Sequence, residues 1–180
     1  MYDVALSLGR YNPPTLGHFE SLKALKSQAN VLGVRAEVFV IEGEQTSKDK
    51  QKNPLSAKQR VEILKSWFPD IHFDVASSAY EVMEVLQVQG KRPKIWVAGT
   101  DRVPRYKQLL AYSGFDNSRI VELDRIAGKA AGVSATKARA AAAKADLNEF
   151  LNMMPEDVNR ESLIQVYECV RKALQEDGSG

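Results

Sequence analysis

The 180-residue sequence has a single cysteine, Cys169, and only two histidines, His18 and His72. One thiol excludes an internal disulfide, and these three side chains supply no zinc-ligand spacing. Cys169 falls in a helical pattern with Leu163, Val166, Tyr167, Val170 and Leu174, so a packed thiol is expected there. His72 alternates with apolar residues in Ile71-His72-Phe73-Asp74-Val75 and is expected to face solvent from a strand. No apolar stretch approaches the roughly 18 residues of a membrane span, so no membrane partner is expected. The first residues carry no basic-then-apolar leader pattern, and a cytoplasmic protein is expected. Charge of one sign is also lacking. The 25 basic and 23 acidic residues leave a net charge of +2, too balanced for general nucleic-acid binding. The absence of a Gly-x-Gly-x-x-Gly fingerprint argues against a dinucleotide redox enzyme. There are no repeats, and no Gly/Ser/Pro-rich linker before the tail Gly178-Ser179-Gly180. Residues 1–180 therefore read as one domain, with a core over 3–145 and C-terminal helices over 146–176.

What is present alternates between two periods. Val4–Leu8, Val38–Ile41, Ile71–Val75, Lys94–Ala98 and Ile120–Leu123 are short apolar runs of the kind that form buried strands. Between them lie segments with helical spacing. Phe19, Leu22 and Leu25 mark the first. The capping box Ser56-Ala57-Lys58-Gln59 opens the second, which stops before Pro69. A further capping box, Ser78-Ala79-Tyr80-Glu81, opens the third, and Tyr106, Leu109 and Leu110 mark the fourth. Alternating β and α elements predict a parallel sheet wound on both faces. Such sheets bind ligands at the carboxyl ends of their strands, at the switch point of the winding. The turns after strand one (Gly9–His18) and strand four (Gly99–Arg102) are both placed to line one cleft. The polar connection Gly43–Pro54 is long for a βα loop. Its lysine- and glutamine-rich positions offer little to bury, so it is expected to be mobile when empty and ordered by ligand.

Two helix starts stand out as anion sites. Gly9-Arg10-Tyr11-Asn12-Pro13-Pro14-Thr15-Leu16-Gly17-His18 leads from the first strand into the first helix, with a histidine in the first turn. A helix N-terminus offers free N–H groups and partial positive charge, and Gly17 permits close approach to the backbone. Far downstream, Val133-Ser134-Ala135-Thr136-Lys137-Ala138-Arg139 opens a late helix. Ser134 is a good N-cap, Thr136 adds a hydroxyl, and Lys137 and Arg139 add charge. Gly128 and Gly132 loosen the loop before it. Two basic clusters flank these turns. Lys48, Lys50, Lys52, Lys58 and Arg60 meet only Asp49, while Arg125, Lys129, Lys137 and Arg139 meet no acid.

Gly-x-x-x-Pro-x-Thr-x-Gly-His resembles the signature of the nucleotidyltransferase superfamily, which usually ends His-x-Gly-His. Thr15 stands at the first histidine position, as in the phosphopantetheine adenylyltransferase branch. Gly-Arg-Tyr-Asn-Pro looks like the opening of one group of nicotinamide-nucleotide adenylyltransferases, as does Asn53-Pro54-Leu55-Ser56-x-x-x-Arg60. The Ser134–Arg139 segment resembles the superfamily's second signature, and together with Gly99-Thr100-Asp101-Arg102 it is similar to divergent phage-encoded members. The resemblance spans roughly residues 3–145. It implies a Rossmann-like, doubly wound five-stranded parallel α/β sheet that joins a nucleoside triphosphate to a phosphate-bearing acceptor and releases pyrophosphate. ATP is favoured over CTP because the Arg-Thr lead-in of cytidylyltransferases is missing, and an acceptor like nicotinamide mononucleotide is favoured. A sensor that binds nucleotide without turnover is the alternative of another class.

The implied roles are as follows. Thr15 and His18 contact the triphosphate, with His18 stabilising charge as the bond breaks and Arg139 adding charge. Gly9, Arg10, Tyr11, Asn12, Gly17, Gly99 and Asp101, with Ser134, Thr136 and Lys137, bind the nucleotide. Lys48, Lys50, Lys52 and Arg60 are candidates for the acceptor phosphate or the pyrophosphate. Magnesium is expected, held mainly by the triphosphate. A homo-oligomer is compatible with the sequence.

Overall fold

A computed structural model describes residues 2–124 and 130–178. Arg125, Gly128 and Lys129, and the tail residues Ser179 and Gly180, lie outside the described residues. Five strands, β1 (Tyr2–Gly9), β2 (Arg35–Ile41), β3 (His72–Ala76), β4 (Lys91–Gly99) and β5 (Arg119–Leu123), form one sheet in the order β3-β2-β1-β4-β5. Every pairing is parallel. The chain winds outward from β1 to β3, then crosses back to lay β4 on the other side of β1. The switch point is therefore the gap between β1 and β4.

Alternation along each strand sends side chains to two separate cores. Ala5, Val38, Val40, Phe73, Ile95 and Val97 pack under α1 (Leu16–Leu32) and α2 (Ala57–Trp67). Val4, Leu6, Phe39, Trp96 and Ala98 pack under α3 (Ala79–Val88) and α4 (Val103–Tyr112). Strands buried on both faces read as continuous apolar runs, as β1 and β2 do, whereas the edge strands β3 and β5 carry exposed polar residues among their apolar ones. A third cluster joins α5 (Ala135–Ala143), α6 (Leu147–Asn152) and α7 (Arg160–Gly178) to Leu55, Ile63 and Trp67 at the outer side of α2.

Four local expectations need correction. Strand four begins at Lys91, ahead of Pro93. Proline normally argues against a strand interior, but β5 joins β4 only from Ile95 onward, and the β1–β4 register shifts between Val4 and Ala5 to take up the irregularity. The α3 capping box is half formed. Ser78 Oγ accepts the Glu81 amide, while the Glu81 carboxylate turns to the amide and hydroxyl of Ser77. That contact holds the Glu81 carboxyl below its ordinary range. Cys169 is exposed. His72 is half-buried beside Glu37 on the face of α3, and burial, with Arg35 and Lys91 nearby, lowers its pKa.

The Gly43–Pro54 connection is folded and tethered. A short 3-10 turn spans Thr46–Lys48. Asn53 is buried, donating its amide to Asp49 O at 2.8 Å and its side chain to Thr46 O at 2.7 Å. Gln51 Nε2 donates to Leu174 O on α7 at 3.2 Å.

Candidate active site

A cleft of about 470 Å³ opens at the carboxyl ends of β1, β2 and β4, over the switch point. Its size is ordinary for a small-molecule site. The described residues of its wall include five basic side chains, Arg10, Lys52, Arg102, Arg105 and Arg139, against one carboxylate, Asp101. His18 also lines it. The excess of positive charge fits a polyanionic ligand.

His18 sits at the third position of α1, one turn past the N-cap Thr15. Its Nδ1 accepts the Thr15 amide at 3.0 Å and lies 3.2 Å from Thr15 Oγ1. An acceptor Nδ1 assigns the neutral ring its hydrogen at Nε2, the donor form. The ring meets Tyr11 edge-on, with centroids 4.8 Å apart at 67°. Thr15 itself is buried and does not line the cleft. Its hydroxyl lies against the His18 ring. A hydroxyl and an amide at the N-cap hold the ring where the usual signature has a second histidine.

Tyr11 is a non-glycine residue in the left-handed region, with φ 53°. Its ring lies over Gly9 so closely that a Cβ at Gly9 would come within 2.6 Å of it. Gly9 is therefore needed for the ring as well as the turn. Asn12 is buried and clamps Leu55 twice, donating Nδ2 to its carbonyl at 3.0 Å and accepting its amide on Oδ1 at 2.8 Å. Asn12 thus borders the cleft with its side chain already committed. Gly17 is buried beside Thr15 and does not line the cleft. A Cβ there would make ordinary contacts with the protein around it.

At the second helix start, Ser134 Oγ caps α5 by accepting the Lys137 amide at 3.0 Å. Lys137 Nζ folds back onto Gly132 O at 2.9 Å. Thr136 Oγ1 accepts Arg139 Nη2 at 3.3 Å, and Arg139 Nη1 reaches across to Asn12 O at 3.0 Å. Ala135 and Arg139 line the cleft, while Ser134, Thr136 and Lys137 stand behind them. Burial lowers the Arg139 pKa, opposed by Asp49 and assisted by Arg10; it remains a cation at neutral pH.

The basic connection separates into different fates. Lys52 lines the cleft, whereas Lys48 and Lys50 are exposed outside it. Arg60 contradicts its expected role. It is 1% exposed, and its guanidinium donates to Ser56 O, Arg10 O, Ile41 O and Glu42 Oε1 at 2.7–3.2 Å. It braces three segments from within and offers nothing to a phosphate. Gly99 and Asp101 line the cleft as expected. Asp101 belongs to a 3-10 turn ahead of α4 and lies 3.7 Å from Arg102, so it is not the helix N-cap.

The Gly99–Arg102 turn brings Arg102 to the cleft as expected, while Ser7, Ser21, Ser77, Ser78, Arg105 and Tyr106 line it without having been singled out for it by the sequence. Each carries a positional signal. Ser77 and Ser78 follow β3, Arg102 and Arg105 follow β4, and Ser21 lies one turn beyond His18. Tyr106 lines the cleft and stacks on the buried Trp96 behind it, with centroids 4.0 Å apart.

The cytidylyltransferase-like family model matches residues 6–141. The chain belongs to the cytidylyltransferase-like family. This places it in the nucleotidyltransferase superfamily, and the match covers both helix starts of the cleft. No curated protein matches the sequence. Among solved structures, the fold is similar to a macrolide-efflux protein from Streptococcus pneumoniae (TM-score 0.59, 16% identity, covering 84% of this chain and 56% of that one). It is also similar to Thermotoga maritima TmcAL bound with alpha-thio ATP (TM-score 0.59, 14% identity, 98% of this chain and 56% of that one). Plasmodium falciparum nicotinic acid mononucleotide adenylyltransferase complexed with APC matches with TM-score 0.61 at 10% identity, over 97% of both chains. The chain spans a little over half the length of the first two. At these identities the likeness establishes the shared fold, a five-stranded parallel α/β sheet.

Proposed function

We propose that this family member transfers a nucleoside monophosphate, AMP from ATP, onto a small phosphate-bearing acceptor similar to nicotinamide mononucleotide. The observation that carries the reading is a histidine in its Nε2–H donor form, fixed by the Thr15 amide on the wall of a basic cleft at the switch point.

In this reaction an acceptor phosphate oxygen attacks the α-phosphorus, the bond to the bridging oxygen of the β-phosphate breaks, and pyrophosphate leaves with that oxygen. The nucleophile is already an anion at neutral pH, so no general base is needed. Catalysis is then positioning and charge stabilisation. His18 donates to a phosphate oxygen that gains charge as the bond breaks. Arg139, between the two helix starts, holds the triphosphate. Arg10 and Lys52 offset the charge of acceptor and pyrophosphate. Asp101 supports the nucleoside side.

A magnesium ion riding on the triphosphate needs few protein ligands. Asp101 is the one carboxylate among the described residues of the cleft wall, so such an ion would be held mainly by the triphosphate oxygens. When bound, the ion neutralises phosphate charge.

A matrix of ATP, CTP, GTP and UTP against acceptor phosphates, read by pyrophosphate release, tests the proposal. ATP with a mononucleotide acceptor should give the highest kcat/KM. A preference for CTP would overturn the adenylyl reading and leave nucleotidyl transfer standing. Tight nucleotide binding with no release from any pair would favour the sensor.

A further inference from the structure

Two guanidinium groups bracket Tyr11. Arg60 Nη1 donates to the carbonyl before it, Arg10 O, at 2.7 Å, and Arg139 Nη1 donates to the carbonyl after it, Asn12 O, at 3.0 Å. Between these fixed points Tyr11 holds a left-handed backbone that a bulky side chain seldom adopts. Its ring is pressed onto Gly9 and meets the His18 ring edge-on. The arrangement forms a chain of contacts from Arg60 through Arg10 and Tyr11 to His18.

Burying a guanidinium is expensive unless every donor is met. Arg60 comes close to that condition, with four of its five N–H groups bonded, because the end of β2, the turn after β1 and the start of α2 each turn a carbonyl toward it and Glu42 accepts a fourth. No other side chain carries five N–H donors in a planar fork. A lysine would reach some of these carbonyls and leave the rest unmet. We propose that Arg60 is a positioning residue: by holding Arg10 O it keeps Tyr11 in its left-handed conformation, and Tyr11, packed edge-on against the ring, keeps His18 on the Thr15 amide that sets its donor form. The inference rests on the reading that His18 works on the triphosphate, and it extends that reading to a residue that touches no substrate.

The test reads His18 directly. In a His72→Gln background His18 is the sole imidazole, so its ring ¹⁵N shifts report its tautomer without ambiguity. The parent should show a pyridine-like Nδ1 and a pyrrole-like Nε2. Arg60→Gln and Arg60→Lys should move the two shifts toward their tautomeric average. In the unmodified background they should lower kcat by roughly 10- to 100-fold, the scale of a small misplacement, with KM for the triphosphate changed less than about threefold. Tyr11→Leu leaves every Arg60 bond in place and should reproduce the shift change, which keeps the idea testable if Arg60→Gln does not fold. Glu42→Gln removes the charge partner alone and should leave the His18 shifts unaltered. Folded Arg60 variants with parent-like His18 shifts would overturn the inference, as would parent-like shifts in Tyr11→Leu. Altered shifts in Glu42→Gln matching those of Arg60→Gln would reassign the effect to the ion pair and overturn it too. Altered shifts in the Arg60 variants, in a protein that releases no pyrophosphate from any substrate pair, would sink the proposed function while leaving the positioning intact.

Discussion

Asn12 offers a sharp test of how the turn after β1 is held. Its side chain makes two hydrogen bonds to one residue, accepting from Leu55 N at 2.8 Å and donating to Leu55 O at 3.0 Å. Both residues are buried, so Asn12→Ala leaves one amide and one carbonyl without a partner and without water. Each such group costs about 1–3 kcal/mol. Together they should destabilise the fold by about 2–5 kcal/mol, which for a domain of this size lowers Tm by roughly 5–15 °C. Urea unfolding at fixed temperature, with the m-value checked for constancy, gives the free energy directly. Asn12→Asp sharpens the argument. An ionised carboxylate still accepts the Leu55 amide but faces the Leu55 carbonyl, while a protonated one restores a donor. The folded state should therefore bind this proton more tightly than the unfolded state, and stability of the variant should rise as pH falls through the carboxyl's raised folded pKa. A loss below about 1 kcal/mol for Asn12→Ala, or an Asn12→Asp variant whose stability relative to the parent does not respond to pH, would refute the picture of a dry two-point clamp.

Three further outcomes follow from the cleft. His18→Ala should lower turnover by roughly 100-fold or more, the scale of one preorganised donor, with little change in unfolding free energy; near-normal pyrophosphate release would remove His18 from the chemistry. Arg139→Ala should weaken triphosphate binding by about 1–3 kcal/mol and leave binding of the bare nucleoside unchanged by calorimetry. Equal losses for both ligands would assign Arg139 to the fold through its bond to Asn12. Lys52→Ala should raise KM for the anionic substrates, whereas Lys48→Ala and Lys50→Ala should not, since only Lys52 lines the cleft; three equal effects would mean the connection acts as a diffuse field.

The strands and the location of the cleft were legible because the physics that sets them is local. A central strand buried on both faces is mainly apolar, an edge strand still shows an apolar run on its covered face, and a parallel sheet gathers its ligand turns at one end. What escaped notice depends on direction. Arg60 and Lys52 are both cations of one polar stretch, and nothing in their neighbours tells that one turns inward to three carbonyls. Thr15 makes the same point: its place in a signature does not reveal that its hydroxyl lies against the His18 ring. Cys169 shows the limit of counting. At about 100° per residue it lies some 120° around α7 from the stripe formed by Leu163, Val166, Tyr167, Val170 and Leu174, so membership of the segment did not mean membership of the buried face.

The first amide of α1 has a consequence beyond the cleft. Leu16 N donates to Met153 O, just past α6, at 2.9 Å. One of the free N–H groups expected to greet a ligand at this helix start is thus spent on the C-terminal segment. The register of α1, and with it the height of His18 above the sheet, is referenced to a residue some 135 positions away. Lengthening or shortening the turn between Met153 and Arg160 would act as an adjusting screw on the histidine. Sequence change in the least motif-bearing part of the chain has a mechanical route into its most motif-bearing part.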